Sequence, residues 1–353
     1  MAGLRAMLDL GSAQAGREPT LQPAQMHALY RELLAPLEAS LSGVRSLIVA
    51  THGPLASLPL AALVTRPPEG KAAPAWLVRQ MAVTQLPSPS ALQALRRVTQ
   101  PQVAEKALLG FGDPVFKLAV GSAGRPAAKA GQPRLVGASL KPGATRYDAD
   151  WGFRYADMPP LPETRTELLA VAAALGADAT SDLVLGERAT RRAVLEANLL
   201  DRRVVAFATH GLMPGELPGV SKPSLAMAAT ADEHESPLLE LDDVLGLRLN
   251  AQWVLLSACN TAAGEQGGGA MSGLVRGFFF AGARSVLATH WAVESESAAA
   301  LTAATLKAQA NGASRSESLR QAQLAMIDGK LGAGRWSRPF YWAPYALFGD
   351  PVR

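Results

Sequence analysis

The sequence contains a single cysteine, Cys259, among its 353 residues. A lone thiol excludes an intrachain disulfide and fits a protein of a reducing compartment, so we expect a cytoplasmic protein. Long apolar runs are also absent, and no segment is a candidate for crossing a bilayer. Residues 1–15 lack a continuous apolar stretch, which predicts that there is no secretory signal peptide.

Strong charge and dense aromatic clusters are missing as well. The formal net charge is +4, aromatic residues make up 6% of the chain, and the Lys and Arg residues are scattered. This distribution gives no support for nucleic-acid binding. Apolar residues are plentiful, at 48%, which excludes a disordered chain and is enough for one large α/β domain or two smaller ones.

Short apolar runs alternate with amphipathic stretches along most of the chain. This alternation predicts an α/β fold in which a mostly parallel sheet is flanked by helices on both faces. We expect strands at 47–50, 81–86, 107–111, 182–185, 204–209, 225–229, 253–258 and 285–289. The expected helices are 23–41 (with a kink at Pro36), 88–97, 163–175, 189–199, 240–245, 270–281, 295–310 and 314–327.

The chain divides at a segment of unusual composition. Residues 115–161 are rich in Gly, Pro and Ala, contain several basic residues and show no sustained period, which predicts a long mobile loop. On either side we expect an N-terminal α/β half, residues 23–114, and a C-terminal half, residues 162–353, which carries the candidate site. Residues 1–22 are small and polar and are predicted to be a flexible N-terminus.

Two reactive side chains follow predicted strands, at the edge where open α/β sheets bind ligands. Cys259 precedes a glycine-rich stretch, 264–269, and His210 is followed at once by Gly211. A thiol and an imidazole at the ends of two such strands can meet in space and cleave an acyl bond, with the imidazole as base and the thiolate as nucleophile. Gly211 allows close approach of a substrate, and the backbone N–H groups of Gly211 and Cys259 can hold a developing oxyanion.

Other interpretations of the same residues stay open. Cys259 can be a small buried apolar residue, and His210 can be a polar group that ends a strand. His52, His210, His290 and Cys259 together have the ligand types of a zinc site, although no two of them are close in sequence. A serine hydrolase that uses Ser257 is disfavoured, because the Gly-x-Ser-x-Gly elbow is absent.

The motifs in this order resemble the CHAT family of caspase-like cysteine peptidases (clan CD), whose relatives include separases and paracaspases. The resemblance rests on residues 208–211, Ala-Thr-His-Gly, and on residues 255–261, Leu-Leu-Ser-Ala-Cys-Asn-Thr. It extends from about residue 25 to the C-terminus through further blocks at 53–55, 58–63, 111–114, 161–167, 247–251, 279–283 and 341–350.

The resemblance implies a caspase-type fold and a peptidase with His210 as general base and Cys259 as nucleophile, without metal or cofactor. It implies a protein substrate and a role in regulated proteolysis or bacterial defence. Members of the family often carry tetratricopeptide repeats. The residues before the first strand are too few for a repeat array, so we expect a separate sensor or repeat-containing activator. A catalytically silent caspase-like scaffold is the alternative function.

The resemblance also implies which loop lines the S1 pocket, the one after the strand that follows the nucleophile. In this chain that loop contains Glu294 and Glu296. A carboxylate there would favour a basic P1 residue, Lys or Arg, through charge pairing. Both residues also precede a predicted helix, and acidic residues in a first turn stabilise a helix, so capping explains them equally well.

Overall fold

A computed structural model describes residues 22–51, 55–56, 58–67, 70, 73–97, 104–117, 135–136, 155–214, 220–231, 235–257, 273–291 and 293–352. Strands in these residues are β1 Ser46–Val49, β2 Ala82–Gln85, β3 Lys106–Gly112, β4 Leu135–Val136, β5 Leu183–Leu185, β6 Arg202–Ala208, β7 Gly211–Leu212, β8 Ser224–Ala226, β9 Leu238–Glu240, β10 Trp253–Ser257, β11 Ser285–Thr289, β12 Val293–Glu294 and β13 Tyr345–Gly349.

Eight of these strands form the central sheet, in the order β1-β2-β13-β11-β10-β6-β3-β5. Every neighbouring pair is parallel except β11 with β13. The sheet therefore consists of two parallel blocks that run in opposite directions and meet at that pair. The first block is β1, β2 and β13, and the second is β11, β10, β6, β3 and β5. The carboxyl ends of β6, β10 and β11 share one edge, whereas β1 and β2 end at the opposite edge.

Helices cover both faces of this sheet. They are α1 Pro23–Leu33, α2 Glu38–Leu41, α3 Leu77–Gln80, α4 Pro89–Arg97, α5 Glu163–Leu175, α6 Arg191–Glu196, α7 Leu241–Gly246, α8 Gly273–Phe280, α9 Ser295–Ala310, α10 Arg315–Ile327 and α11 Pro339–Trp342. Successive residues of a strand point to opposite faces. In β6, Val204 and Ala206 pack in the core that includes α5, α9 and α10, and Val205 and Phe207 pack in the core that includes α7 and α8.

Two small antiparallel sheets extend beyond the carboxyl edge of the second block. One contains β7, β8 and β9, in that order, and begins directly after β6. The other pairs β12, which follows β11, with β4, which comes from the segment 115–161. Elements beyond this edge therefore come from three separate parts of the chain.

Local sequence determines the bounds of helices α5 and α9. Helix α5 has Glu163 in its first turn and is followed by Gly176, whose φ of 63° is the left-handed conformation that glycine adopts without strain. Helix α9 is capped by Glu294, whose carboxylate accepts the backbone N–H of Ser297 at 2.7 Å.

The predicted fold class, an α/β fold with a mostly parallel sheet and helices on both faces, is confirmed. The structure has a strand at or near each predicted strand position, and it has the predicted interruption near Pro36, where α1 ends at Leu33 before a 3₁₀ turn, Ala35–Leu37. The sequence did not predict β13, the antiparallel strand, or the short strands β4, β7, β9 and β12, because two- and three-residue strands carry no measurable period.

The domain boundaries stay predictions. The sheet is shared by the two proposed halves, since β2 pairs with β13 and β3 lies between β5 and β6. The predicted flexible N-terminus, residues 1–22, lies outside the described residues except for Gln22. The described ends of the segment 115–161 are packed, with Phe116, Met158 and Leu161 buried. No helix in the described parts of the chain has the length and apolarity needed to cross a bilayer.

Candidate active site

His210 lies two residues beyond the end of β6 and is 7% exposed. Its Nε2 is 2.9 Å from the backbone oxygen of Pro159, and its ring centroid is 5.4 Å from that of Phe116. A carbonyl oxygen only accepts, so Nε2 carries the proton in this bond and Nδ1 is left as the basic nitrogen. Burial lowers the pKa of His210, and the bond to Pro159 opposes that effect. The imidazole is therefore neutral at neutral pH and able to take a proton.

Gly211 is the first residue of β7 and pairs with Leu225 of β8. The N–H of Ala226 donates to the carbonyl of His210 at 2.9 Å. In an antiparallel pair, hydrogen-bonded and non-bonded positions alternate, so the N–H of Gly211 points away from β8. This N–H is thus not used in the ladder between β7 and β8, as a donor to an oxyanion would require.

The strand that leads to Cys259 is the direct neighbour of the strand that leads to His210. In the parallel pair of β10 and β6, Ser257 is opposite Ala208. His210 and Cys259 each come two residues after these paired positions in the sequence. Cys259 itself lies outside the described residues, and its pairing with His210 stays a prediction. The strand order excludes an arrangement in which β6 and β10 lie at opposite borders of the sheet.

The zinc alternative finds little support in the strand directions. His290 follows β11 and is buried, with Nε2 3.5 Å from Nε2 of Gln85. His52 lies outside the described residues, but it follows β1, which ends at the edge opposite to the ends of β6 and β11. Among the residues that the structure describes, no three His, Cys, Asp or Glu side chains form a group that could hold a metal ion.

The two candidate S1 residues have different surroundings. Glu294 is 9% exposed, belongs to β12 and uses Oε2 to cap α9 through Ser297. Glu296 is exposed and forms an ion pair of 3.2 Å with Arg335, which is exposed too. The structure thus gives Glu294 the capping role that was one of its two interpretations. The S1 role of both residues stays a prediction.

Sequence reasoning did not identify Pro159 and Phe116, which contact His210. Pro159 acts through its backbone oxygen, and any residue type supplies that atom, so the sequence contains no signal for it. Phe116 and Pro159 both fall in the segment 115–161, where no period indicates structure. Glu167 was noted only as part of the block 161–167, and its near-complete burial at 2% exposure became visible in the structure.

Comparison with known proteins relates most of the chain to one family. The family model of the CHAT domain, which describes the sequences of that family, matches residues 23–350. Tetratricopeptide repeat protein 28 of Mus musculus is 27% identical over 385 residues, and that of Homo sapiens is 27% identical over 382 residues. Each alignment covers 98% of this chain and 14% of the relative, so the chain spans a small part of these relatives' length.

Solved structures to which the chain is similar include gingipains. The Arg-specific cysteine proteinase gingipain R aligns with a TM-score of 0.48 at 9% identity, over 99% of this chain and 74% of the gingipain chain. The complex of the pro- and mature domains of gingipain RgpB from Porphyromonas gingivalis gives a TM-score of 0.45 at 10% identity, over 100% of this chain and 77% of that chain.

Proposed function

Because the chain belongs to the CHAT domain family, we propose that it is a cysteine endopeptidase with His210 as general base and Cys259 as nucleophile. The observation that carries the proposal is the pairing of β6 with β10 in a register that gives both residues the same offset beyond the paired positions. The lowered pKa of His210 supports the assignment, since a general base must be unprotonated at working pH.

In the proposed mechanism, Nδ1 of His210 takes the proton of the Cys259 thiol. The thiolate attacks the carbonyl carbon of the scissile peptide, and the backbone N–H groups of Gly211 and Cys259 hold the oxyanion. The imidazolium returns its proton to the leaving amine, and the carbon–nitrogen bond breaks. Water, deprotonated by His210, then releases the acyl group from sulfur. Pro159 keeps Nε2 protonated throughout, which leaves Nδ1 for the thiol.

We further propose an extended protein substrate with a basic P1 residue. Strand β12 accepts the two-residue strand β4 antiparallel, and this mode of pairing is the one by which a sheet edge binds an extended peptide. Glu294 of β12 uses Oε2 for capping, and a carboxylate has a second oxygen for a Lys or Arg side chain.

The setting of the reaction is part of the same proposal. The matched relatives are named for tetratricopeptide repeats, and this chain covers 14% of their length. A repeat-containing activator, on a separate protein or elsewhere in a longer chain, would fit regulated proteolysis. The bacterial and cytoplasmic setting predicted from the sequence stays a prediction.

The proposal is tested by cleavage of a peptide library by the wild type, Cys259→Ala and His210→Ala. We expect each substitution to lower kcat/KM by more than about 10³-fold, because the dyad acts as a unit. His27→Gln is the matched control. His27 is not part of the proposed dyad, and its Nδ1 bonds to the carbonyl of Val64. Cleavage retained by Cys259→Ala would refute the dyad, and a preference for Asp at P1 would refute the basic pocket. Binding of peptides without any cleavage by the wild type would favour the scaffold.

A further inference from the structure

Glu167 is a buried carboxyl without an ion-pair partner in the described part of the chain. It lies in the second turn of α5, its side chain is 2% exposed, and α5 packs on β3, β6 and α9. Acidic residues are almost never buried unless they are paired. The proposed dyad does not involve Glu167, so its burial needs a different explanation.

Ser257, the last residue of β10, faces this carboxyl. Oγ of Ser257 and Oε2 of Glu167 are both buried, and neither has a hydrogen-bond partner among the described residues. The hydroxyl is near enough to oppose the effect of burial on the pKa of Glu167. A buried hydroxyl and a buried carboxyl that lack partners are stabilised by bonding to each other. Hydrogen bonds of an unliganded site are often long and shorten when substrate binds.

The surroundings of Glu167 favour its neutral form. Burial raises its pKa from 4.5 to about 7, and the carboxylate of Glu163, on the same helix, adds to the increase. The buried residues of β3, β6 and β10 are apolar or carry hydroxyls, as are those of α9. At the start of α9, the carboxylate of Glu294 is bonded to the N–H of Ser297. No cation in these elements faces the Glu167 side chain.

The chain segment that carries Glu167 also contacts the proposed base, since Pro159 precedes α5 and its carbonyl accepts a hydrogen bond from Nε2–H of His210. One short stretch of chain therefore reaches the ends of both β6 and β10. We propose that Glu167 is a positioning residue: its carboxyl, bonded to Oγ of Ser257, fixes the end of β10 that leads to Cys259. The inference rests on the proposed function, because it assigns a role in the same reaction.

The proposal has a consequence for pH dependence. Loss of the Glu167 proton places a negative charge below the strand that leads to Cys259. A nearby negative charge disfavours a thiolate. The rate constant kcat/KM should therefore decline as the pH rises through about 7. Glutamine has the shape of a protonated glutamate and cannot ionise, so it should keep the position and remove the decline.

The experiment uses two readouts on the full chain, kcat/KM and the rate at which iodoacetamide alkylates Cys259. Because the chain has one cysteine, the mass increase reports that thiol alone. We expect Glu167→Ala to lower both rates about tenfold or more, with the loss in kcat rather than KM. Glu167→Gln should remain within about threefold of the wild type and lose the alkaline decline. Glu163→Gln, on the same helix, is the control and should keep the decline, at a somewhat lower pH because the Glu163 carboxylate no longer raises the pKa of Glu167.

Wild-type rates in Glu167→Ala would overturn the positioning role, as would an unchanged pH profile in Glu167→Gln. If Glu167→Ala does not fold, Ser257→Ala takes its place, and it must show the same loss in kcat. The alkylation rate separates this proposal from the proposed function. If the wild type cleaves no peptide, the peptidase assignment fails, while the effect of Glu167 on the Cys259 thiol is still decided by alkylation.

Discussion

At the scale of single residues, two buried ionisable groups lie near the ends of neighbouring strands. Burial raises the pKa of Glu167 and lowers that of His210, and both shifts favour the neutral form. The reason is the same for both, since a charge loses its hydration when it is buried. Each shift lowers the fraction of the charged form, although Glu167, with a pKa of about 7, is still about half ionised at pH 7.

The shifted pKa of Glu167 predicts a pH-dependent stability. The folded state binds this proton more tightly than the unfolded state, so the stabilisation is complete below about 4.5 and is lost as the pH rises through about 7. Over that window the wild type should lose on the order of 3 kcal/mol of unfolding free energy relative to Glu167→Gln. Urea unfolding at several pH values measures the difference.

His210 changes stability in the other direction. Its pKa is lowered by burial, so the folded state loses stability as the pH falls below the unfolded value of 6.5. Both proteins of the comparison carry His210, and its effect cancels. Equal pH slopes for the wild type and Glu167→Gln would contradict the burial of an ionisable Glu167.

Part of this site could be predicted from the sequence. His210 and Gly211 follow an apolar run that is a strand, and their position after it was visible in the residue order. The contact of His210 with Pro159 was not predictable, because a backbone oxygen leaves no mark on residue type. The burial of Glu167 was not predictable either, since the polar character of a residue argues for exposure and only packing reveals the exception.

At the scale of elements, the turn between α8 and β11 packs tightly on the backbone of the chain before β10. Gly282 in this turn has a φ of 111°, and a Cβ built on it would lie 2.3 Å from the backbone oxygen of Leu249. The N–H of Leu249 donates to the carbonyl of Ala281 at 2.7 Å, which holds the same turn against the segment that precedes β10.

Gly282→Ala should therefore destabilise the fold by roughly 2 to 5 kcal/mol, from backbone strain and from the clash with Leu249. Thermal unfolding measures the loss. Gly246→Ala is the matched control, because a Cβ at Gly246, the last residue of α7, meets nothing within 4 Å. A melting temperature for Gly282→Ala equal to that of the control would show that the turn can relax.

Elements differed in how well the sequence predicted them. Helices α5 and α9 were predicted at their observed bounds, because each has clear end signals. Strand β13 was seen only as part of a motif, since no helix follows it and its antiparallel direction has no counterpart in the residue order. The opposite direction of β1 and β2 relative to β6 depends on that strand, so the sequence did not predict it either.

At the scale of the whole molecule, the described parts of the segment 115–161 lie at the end of β3, beside His210 and against β12. This segment supplies β4, which pairs with β12 so that Leu135 is opposite Glu294. In the sequence, Arg134 directly precedes β4. A peptidase with a basic P1 preference would find several Lys and Arg residues within this segment.

We therefore expect the wild type to cut its own segment 115–161, in a reaction that requires Cys259. Incubation followed by denaturing intact-mass measurement should give two fragments for the wild type and one full-length mass for Cys259→Ala. The inactive variant mixed with the wild type would show whether one molecule cuts another. A single full-length mass in every sample would contradict self-cleavage.

The strand order decides what such a cut would produce. The piece before the break contains β1, β2 and β3, and the piece after it contains β5, β6, β10, β11 and β13. In the sheet these are interleaved, because β3 is held between β5 and β6 while β2 lies against β13. A nicked molecule would thus persist as a non-covalent two-chain enzyme with an unchanged hydrodynamic radius. Its pieces would come apart only when the sheet itself unfolds.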